Sequence, residues 1–131
     1  MKDDATTNPV TFEQVVEQYR AFLAERHWGK PEPKNFAVSI SLEANELLEH
    51  YQWSDEPVGN REELADELAD ILLYAVQFAD CYDINIPEAM VRKMIKAGKK
   101  YPAEEFASIN PNEQRKAWLA AKKRHVKKES L

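Results

Sequence analysis

Between Phe12 and Tyr101 the apolar residues of this chain recur three and four positions apart, in runs broken by proline, glycine and asparagine clusters. That spacing puts the apolar positions of each run on one side of an α-helix, and no run alternates with the period of two that a strand requires. Thr11 and Gln14 form a T-x-x-Q capping box ahead of the first helix, whose stripe is Phe12, Val15, Val16, Tyr19, Phe22 and Leu23. Gly29-Lys30-Pro31-Glu32-Pro33 breaks it, since two prolines and a glycine do not continue a helix. A second helix is expected from about Asn35 to Trp53, with SDEPVGN (54–60) as a turn. The third and longest is expected from about Arg61 to Tyr82, with Leu64, Leu68, Ile71, Ala75 and Phe78 inward. Pro87 fits the first turn of a fourth, which ends near Tyr101-Pro102. A last segment from about Asn112 to Lys123 is helical by composition. The expected fold is all-α: a four-helix-bundle-like subunit over residues 1–110, followed by a basic C-terminal helix or tail over 111–131.

The 131 residues suffice for one core, and three glycines leave no material for a glycine-rich phosphate loop. The single cysteine, Cys81, excludes an intrachain disulfide, suits a reducing compartment and reads as a small helix residue. The first residues, MKDDATTNPV, do not read as a signal peptide, and no apolar run approaches the ~18 residues of a membrane span. The expectation is a cytoplasmic protein with no membrane partner. The net charge of −5 is unevenly placed: residues 43–70 are strongly acidic, whereas residues 115–128 hold seven Lys or Arg and no acid. With no aromatic beyond Trp118 among those cations, they read as a solvated helix end rather than a nucleic-acid surface. Leu72 and Leu73 extend apolar surface round the third helix, which implies burial against another subunit.

Against this pattern, several carboxylates lie beside apolar stripes. At 100° per residue Glu43, Glu46 and His50 share a side with Phe36 and Leu47, and Glu63, Glu67, Asp70 and Tyr74 flank the stripe of the third helix. Glu62 and Asp66 instead face solvent, as acids on an amphipathic helix should. Two consecutive helices thus each offer an i, i+3 acid pair, Glu43/Glu46 and Glu67/Asp70. Either pair alone fits a wet helix face, but if the two helices pack antiparallel across the 54–60 turn, the two pairs bring four carboxylates together. Unpaired they would repel and suffer desolvation. An all-oxygen set without thiolates or organised histidines selects Mg²⁺, with Mn²⁺ possible, as the cation that removes the conflict. A ferritin-like di-iron site needs Glu-x-x-His on two helices, and no such tetrad occurs. His50 reads as an outer or packing residue rather than a ligand.

Trp28 and Trp53 end the first two helices, where such rings either stack on a base or pack the core. Lys93, Lys96 and Lys100 form a cationic stripe on the fourth helix, suited to solvent or to phosphates.

These residues resemble the all-α nucleoside triphosphate pyrophosphohydrolases, MazG-like proteins and especially their dCTP pyrophosphatase branch. The family pattern of E-x-x-E followed by E-x-x-D reads here as Glu43-Ala-Asn-Glu46 and Glu67-Leu-Ala-Asp70. The match extends through ERHW (25–28), Asn35, ELLEHYQW (46–53), DELADILLY (66–74) and KMIKAGKKYP (93–102). The resemblance implies hydrolysis of a nucleoside triphosphate between its α and β phosphates, in nucleotide-pool house-cleaning, by a homodimer or homotetramer. It implies Glu43, Glu46, Glu67 and Asp70 as Mg²⁺ ligands; water is expected to be activated by the metal or by a glutamate, Glu43 or Glu46. Trp28, Asn35 and Trp53 would bind substrate, Tyr74 would lie against the sugar, and Lys93 and Tyr101 would contact the phosphates, with Lys96 of the same cationic stripe expected beside them. The sequence departs from the pattern at Ala97, where the branch has asparagine, and at Pro31, where a histidine is common. Its turn between the acidic helices is also shorter than in animal members. Ala97 favours the alternative of a non-catalytic nucleotide-binding or protein-interaction module; the four intact acids favour the enzyme.

Overall fold

The computed structural model describes residues 10–107 and 110–129, with side chains through residue 126. Its described residues are all-helical: α1 (Phe12–Glu25), α2 (Pro33–Glu49), α3 (Arg61–Cys81), α4 (Ile86–Lys100), α5 (Ala103–Phe106) and α6 (Pro111–Glu129). One compact unit ends at Ile84 and a second begins at Asn85. Among the described residues no helix is long and apolar enough to cross a membrane.

In the first unit the caps set the elements. Thr11 and Gln14 make the expected capping box, and Asn60 makes another with Glu63. Glu63 is therefore engaged in starting α3 and not in the acidic flank where periodicity placed it. α2 begins at Pro33, two residues before the expected Asn35, because proline's fixed φ suits the first helical position. It stops at Glu49 rather than Trp53, where Tyr51 and Gln52 donate to Leu48 and Glu49 and tighten the chain into a turn.

Neither α1 nor α3 uses glycine to stop. His27 (φ 56°) and Asp83 (φ 52°) take the left-handed conformation instead. Trp28 then donates to the Leu23 carbonyl and Ile84 to the Ala79 carbonyl, closing a Schellman-type end on each helix. The GKPEP stretch thus follows a helix that His27 has already ended.

α2 and α3 pack along each other. Contacts that pair His50 with Glu67, and Phe36 with Gln77 around one cavity, run in opposite chain directions, so the two helices are antiparallel. α1 joins them through Tyr19, bonded to Gln77, and through Arg20, bonded to Asp80. Of the residues expected inward on α3, Leu64, Ile71, Ala75 and Phe78 are half-buried and Leu68 is exposed, while the most buried are Val76, Gln77 and Ala79. Leu73 and Leu72 also part company, Leu73 facing a cavity and Leu72 solvent.

In the second unit Asn85 caps α4, with Pro87 in the first turn as expected. α5 is a single turn absent from the periodicity. Tyr101 lies edge-on to Phe106 at 5.8 Å, and Arg124 of α6 bonds Glu105 of α5 at 2.6 Å.

Candidate functional site

One turn of α2 separates Glu43 from Glu46, and the antiparallel packing brings Glu67 of α3 beside them. Oxygen atoms of the three carboxylates lie within 4.8 Å of one another. Glu43 Oε2 is shielded from solvent and has no hydrogen-bond partner. Burial raises the Glu43 pKa, and the neighbouring charges of Glu46 and then Asp70 raise it further. An orphaned, shielded carboxylate oxygen among other acids fits a divalent cation, which would satisfy the oxygen and cancel the repulsion. Three of the four acids singled out in the sequence thus converge. Asp70 stands one turn further along α3, close enough to act on Glu43 but outside the triad.

Asp70 also walls a cavity of about 310 Å³. Its other sides are aromatic or apolar, chiefly Phe22, Trp28, Phe36 and Tyr74. One carboxylate therefore borders both the acidic cluster and an aromatic chamber. Local geometry places Trp28 there: the helix end at His27 turns the chain back, and the indole meets Phe22 edge-on at 6.1 Å. Tyr19 and Gln77 supply a polar patch to the same wall, the phenol donating to Gln77 Oε1 at 2.9 Å. Burial raises the Tyr19 pKa, with Tyr74 and Asp70 adding to the shift.

Of the remaining residues named from the sequence, Tyr74 lines the cavity beside Asp70. Asn35 is exposed and donates to Glu32 Oε2 at 3.1 Å. Trp53 lies in the α2–α3 turn, 83% exposed and outside the cavity lining. Lys93 and Lys96 are exposed on α4 in the second unit, and Tyr101 caps that helix through its bond to the Ala97 carbonyl. Cys81 is half-buried and bonds the Gln77 carbonyl, as a small helix residue would. The sequence reading missed Tyr19, Phe36 and Gln77 as cavity residues. Gln77 carried the usable signal, a polar side chain within the apolar run AVQFA.

Residues 38–114, more than half of the chain, match the MazG-like family. The chain belongs to the MazG-like family. It is 29% identical over 116 residues to dCTP pyrophosphatase 1 of Mus musculus, spanning 77% of this chain and 68% of that protein. To dCTP pyrophosphatase 1 of Homo sapiens it is 32% identical over 102 residues, 71% of this chain and 60% of that one. Its structure is similar to that of a pyrophosphatase from Archaeoglobus fulgidus, with a TM-score of 0.61 and 36% identity, covering 72% of this chain and 95% of that one. The family resemblance and the all-α class expected from the sequence both hold. This MazG-like chain is a nucleoside triphosphate pyrophosphatase.

Proposed function

We propose that this pyrophosphatase is Mg²⁺-dependent and acts on dCTP or a related deoxynucleotide, giving the monophosphate and pyrophosphate. The observation that carries the metal reading is the shielded, unpartnered Glu43 Oε2 inside the carboxylate triad. Relatives named as dCTP pyrophosphatases support the choice of base.

Glu43, Glu46 and Glu67 would hold the cation, with Asp70 at the margin. The cation supplies charge neutralisation to triphosphate oxygens, which otherwise repel a nucleophile. The chamber takes the nucleoside: Trp28 stacks on the base and Tyr74, next to Asp70, lies against the sugar. Asp70 bordering both places sets the α-phosphate near the triad. Attack of water on the α-phosphorus breaks the α–β bridging bond, and pyrophosphate leaves with the electron pair. Glu43 and Glu46 are the candidate proton acceptors for that water. Glu46 is the more accessible, being exposed, while Glu43 is half-buried.

Pyrophosphate release measured over all NTPs and dNTPs, with and without Mg²⁺, tests this reading. Turnover should need the cation and be greatest on a deoxycytidine nucleotide. Run in ¹⁸O-water, the reaction should label the monophosphate. Label in pyrophosphate, or equal turnover in chelator, overturns the mechanism.

A further inference from the structure

We infer that His50 is a positioning residue for Glu67, holding that carboxylate in the triad through an imidazole with its proton on Nε2. The inference rests on the metal reading above and extends it to a residue that the E-x-x-E and E-x-x-D pairs do not contain.

The tautomer follows from two contacts. The Gly59 backbone N–H donates to His50 Nδ1 at 3.1 Å. A ring nitrogen that accepts from an amide carries no proton, so in the neutral ring the proton sits on Nε2. That nitrogen lies 3.4 Å from Glu67 Oε1, a long contact that the N–H is oriented to fill. Both partners are largely shielded, with 13% of the His50 side chain and 21% of the Glu67 side chain exposed.

The turn between α2 and α3 is built around this ring. His50 caps α2, and its carbonyl accepts from the Val58 amide at 2.8 Å, so its backbone and ring both bind the turn. Gly59 must lack a side chain here: a Cβ would stand 2.4 Å from His50 Cε1 and 2.5 Å from Nδ1. The glycine is used for close approach, since its φ is not positive. SDEPVGN is thus more than a connection, for it sets the ring that reaches Glu67.

Glu67 needs such a restraint. With oxygens of Glu43 and Glu46 within 4.8 Å, like charges at this separation oppose its place in the triad. A neutral N–H donor fixes one oxygen without adding positive charge that would compete with the cation. Hydrogen bonds of this kind orient ligating carboxylates, and their loss weakens metal affinity about 10–100-fold.

Two substitutions divide the ring's contacts. His50→Gln keeps a donor near the Nε2 position and loses the acceptor for Gly59. His50→Asn keeps an acceptor near Nδ1 and loses the donor to Glu67. Mn²⁺ binding, followed by electron paramagnetic resonance on the full chain, should weaken roughly tenfold or more in His50→Asn and by less than about threefold in His50→Gln. Gly59→Ala, which displaces the ring, should follow His50→Asn. In the wild-type protein, long-range ¹H–¹⁵N correlation should place the His50 proton on Nε2, a readout that needs no variant to fold. Equal weakening in the Gln and Asn variants, no weakening in either, or a proton on Nδ1 overturns the inference. Wild-type protein that binds no Mn²⁺ overturns the metal reading as well.

Discussion

Tyr19 donates its phenolic hydrogen to Gln77 Oε1 at 2.9 Å, joining helices whose bonded residues lie 58 positions apart. The bond satisfies an amide that is only 9% exposed and fixes both residues on the wall of the aromatic cavity. Tyr19→Phe removes the donor and leaves Gln77 Oε1 without its partner. It should cost about 1 kcal/mol in denaturant unfolding. KM for the nucleotide should rise while kcat changes little, if the pair shapes the chamber. Unaltered stability would show that the bond contributes nothing net.

Glu43 connects the triad to pH. Its folded pKa lies above the ordinary 4.5, because burial and then the charges of Glu46 and Asp70 disfavour ionisation. The folded state therefore holds its proton more tightly than the unfolded chain, and stability falls as pH rises from 4.5 through the raised value. In chelator, Glu43→Gln should flatten that part of the melting-temperature profile and melt higher than wild type at neutral pH. The same variant should lose turnover. A wild-type profile rising with pH across that window would contradict the sign.

Trp28 and Trp53 separate by location. Trp28→Ala should remove stacking worth about 1–3 kcal/mol and raise KM by roughly 5- to 150-fold, with kcat less affected. A ring on the base stabilises ground and transition states alike. Trp53→Ala tests whether the exposed indole joins the site in the assembled protein: a comparable rise in KM would place it on the base. Tyr74→Ala should narrow the preference for dCTP over CTP by opening room for a 2′-hydroxyl. Steady-state kinetics of the three variants on both nucleotides checks all of this.

Leu72 is 48% exposed on α3, while Met90, Met94 and Ile95 are exposed on α4. Apolar surface on this scale is expected to be covered by a second copy of the chain. Light scattering should give a homodimer or homotetramer, and Leu72→Glu should shift it toward monomer. A wild-type monomer at micromolar concentration would refute the assembly.

Arg124 holds Glu105 below the ordinary carboxyl pKa through a hydrogen bond, helped by its charge. The lowered value means the pair's contribution is complete above 4.5 and is lost as pH falls through the folded pKa. In Arg124→Gln, a carboxyl NMR titration should return Glu105 toward its ordinary value. An unmoved titration would remove the pair as the cause.

Short-range physics made much of this protein legible from its sequence. Periodicity gave the major helices, the Thr11–Gln14 box gave the start of the first, and the paired acids on two consecutive helices gave Glu43, Glu46 and Glu67 as neighbours. Each depends on residues within a turn or two, or on one antiparallel hairpin of helices, where spacing alone fixes the face. The third helix ends where expected, but the left-handed residues that close the first and third, His27 and Asp83, escaped because periodicity carries no signal for a positive φ at a residue other than glycine. Glu63 was misplaced for a related reason, since periodicity assigns a face but not the cap that claims the side chain. Only tertiary packing decided that Asp70 stands outside the triad and walls the cavity, that Trp28 lines that cavity, and that Tyr19 meets Gln77. It also decided that the α2–α3 turn brings Gly59 and His50 to Glu67. These contacts join residues far apart in the chain, and their geometry depends on how one helix settles against another, a displacement too fine for any pattern of apolar and polar letters to encode.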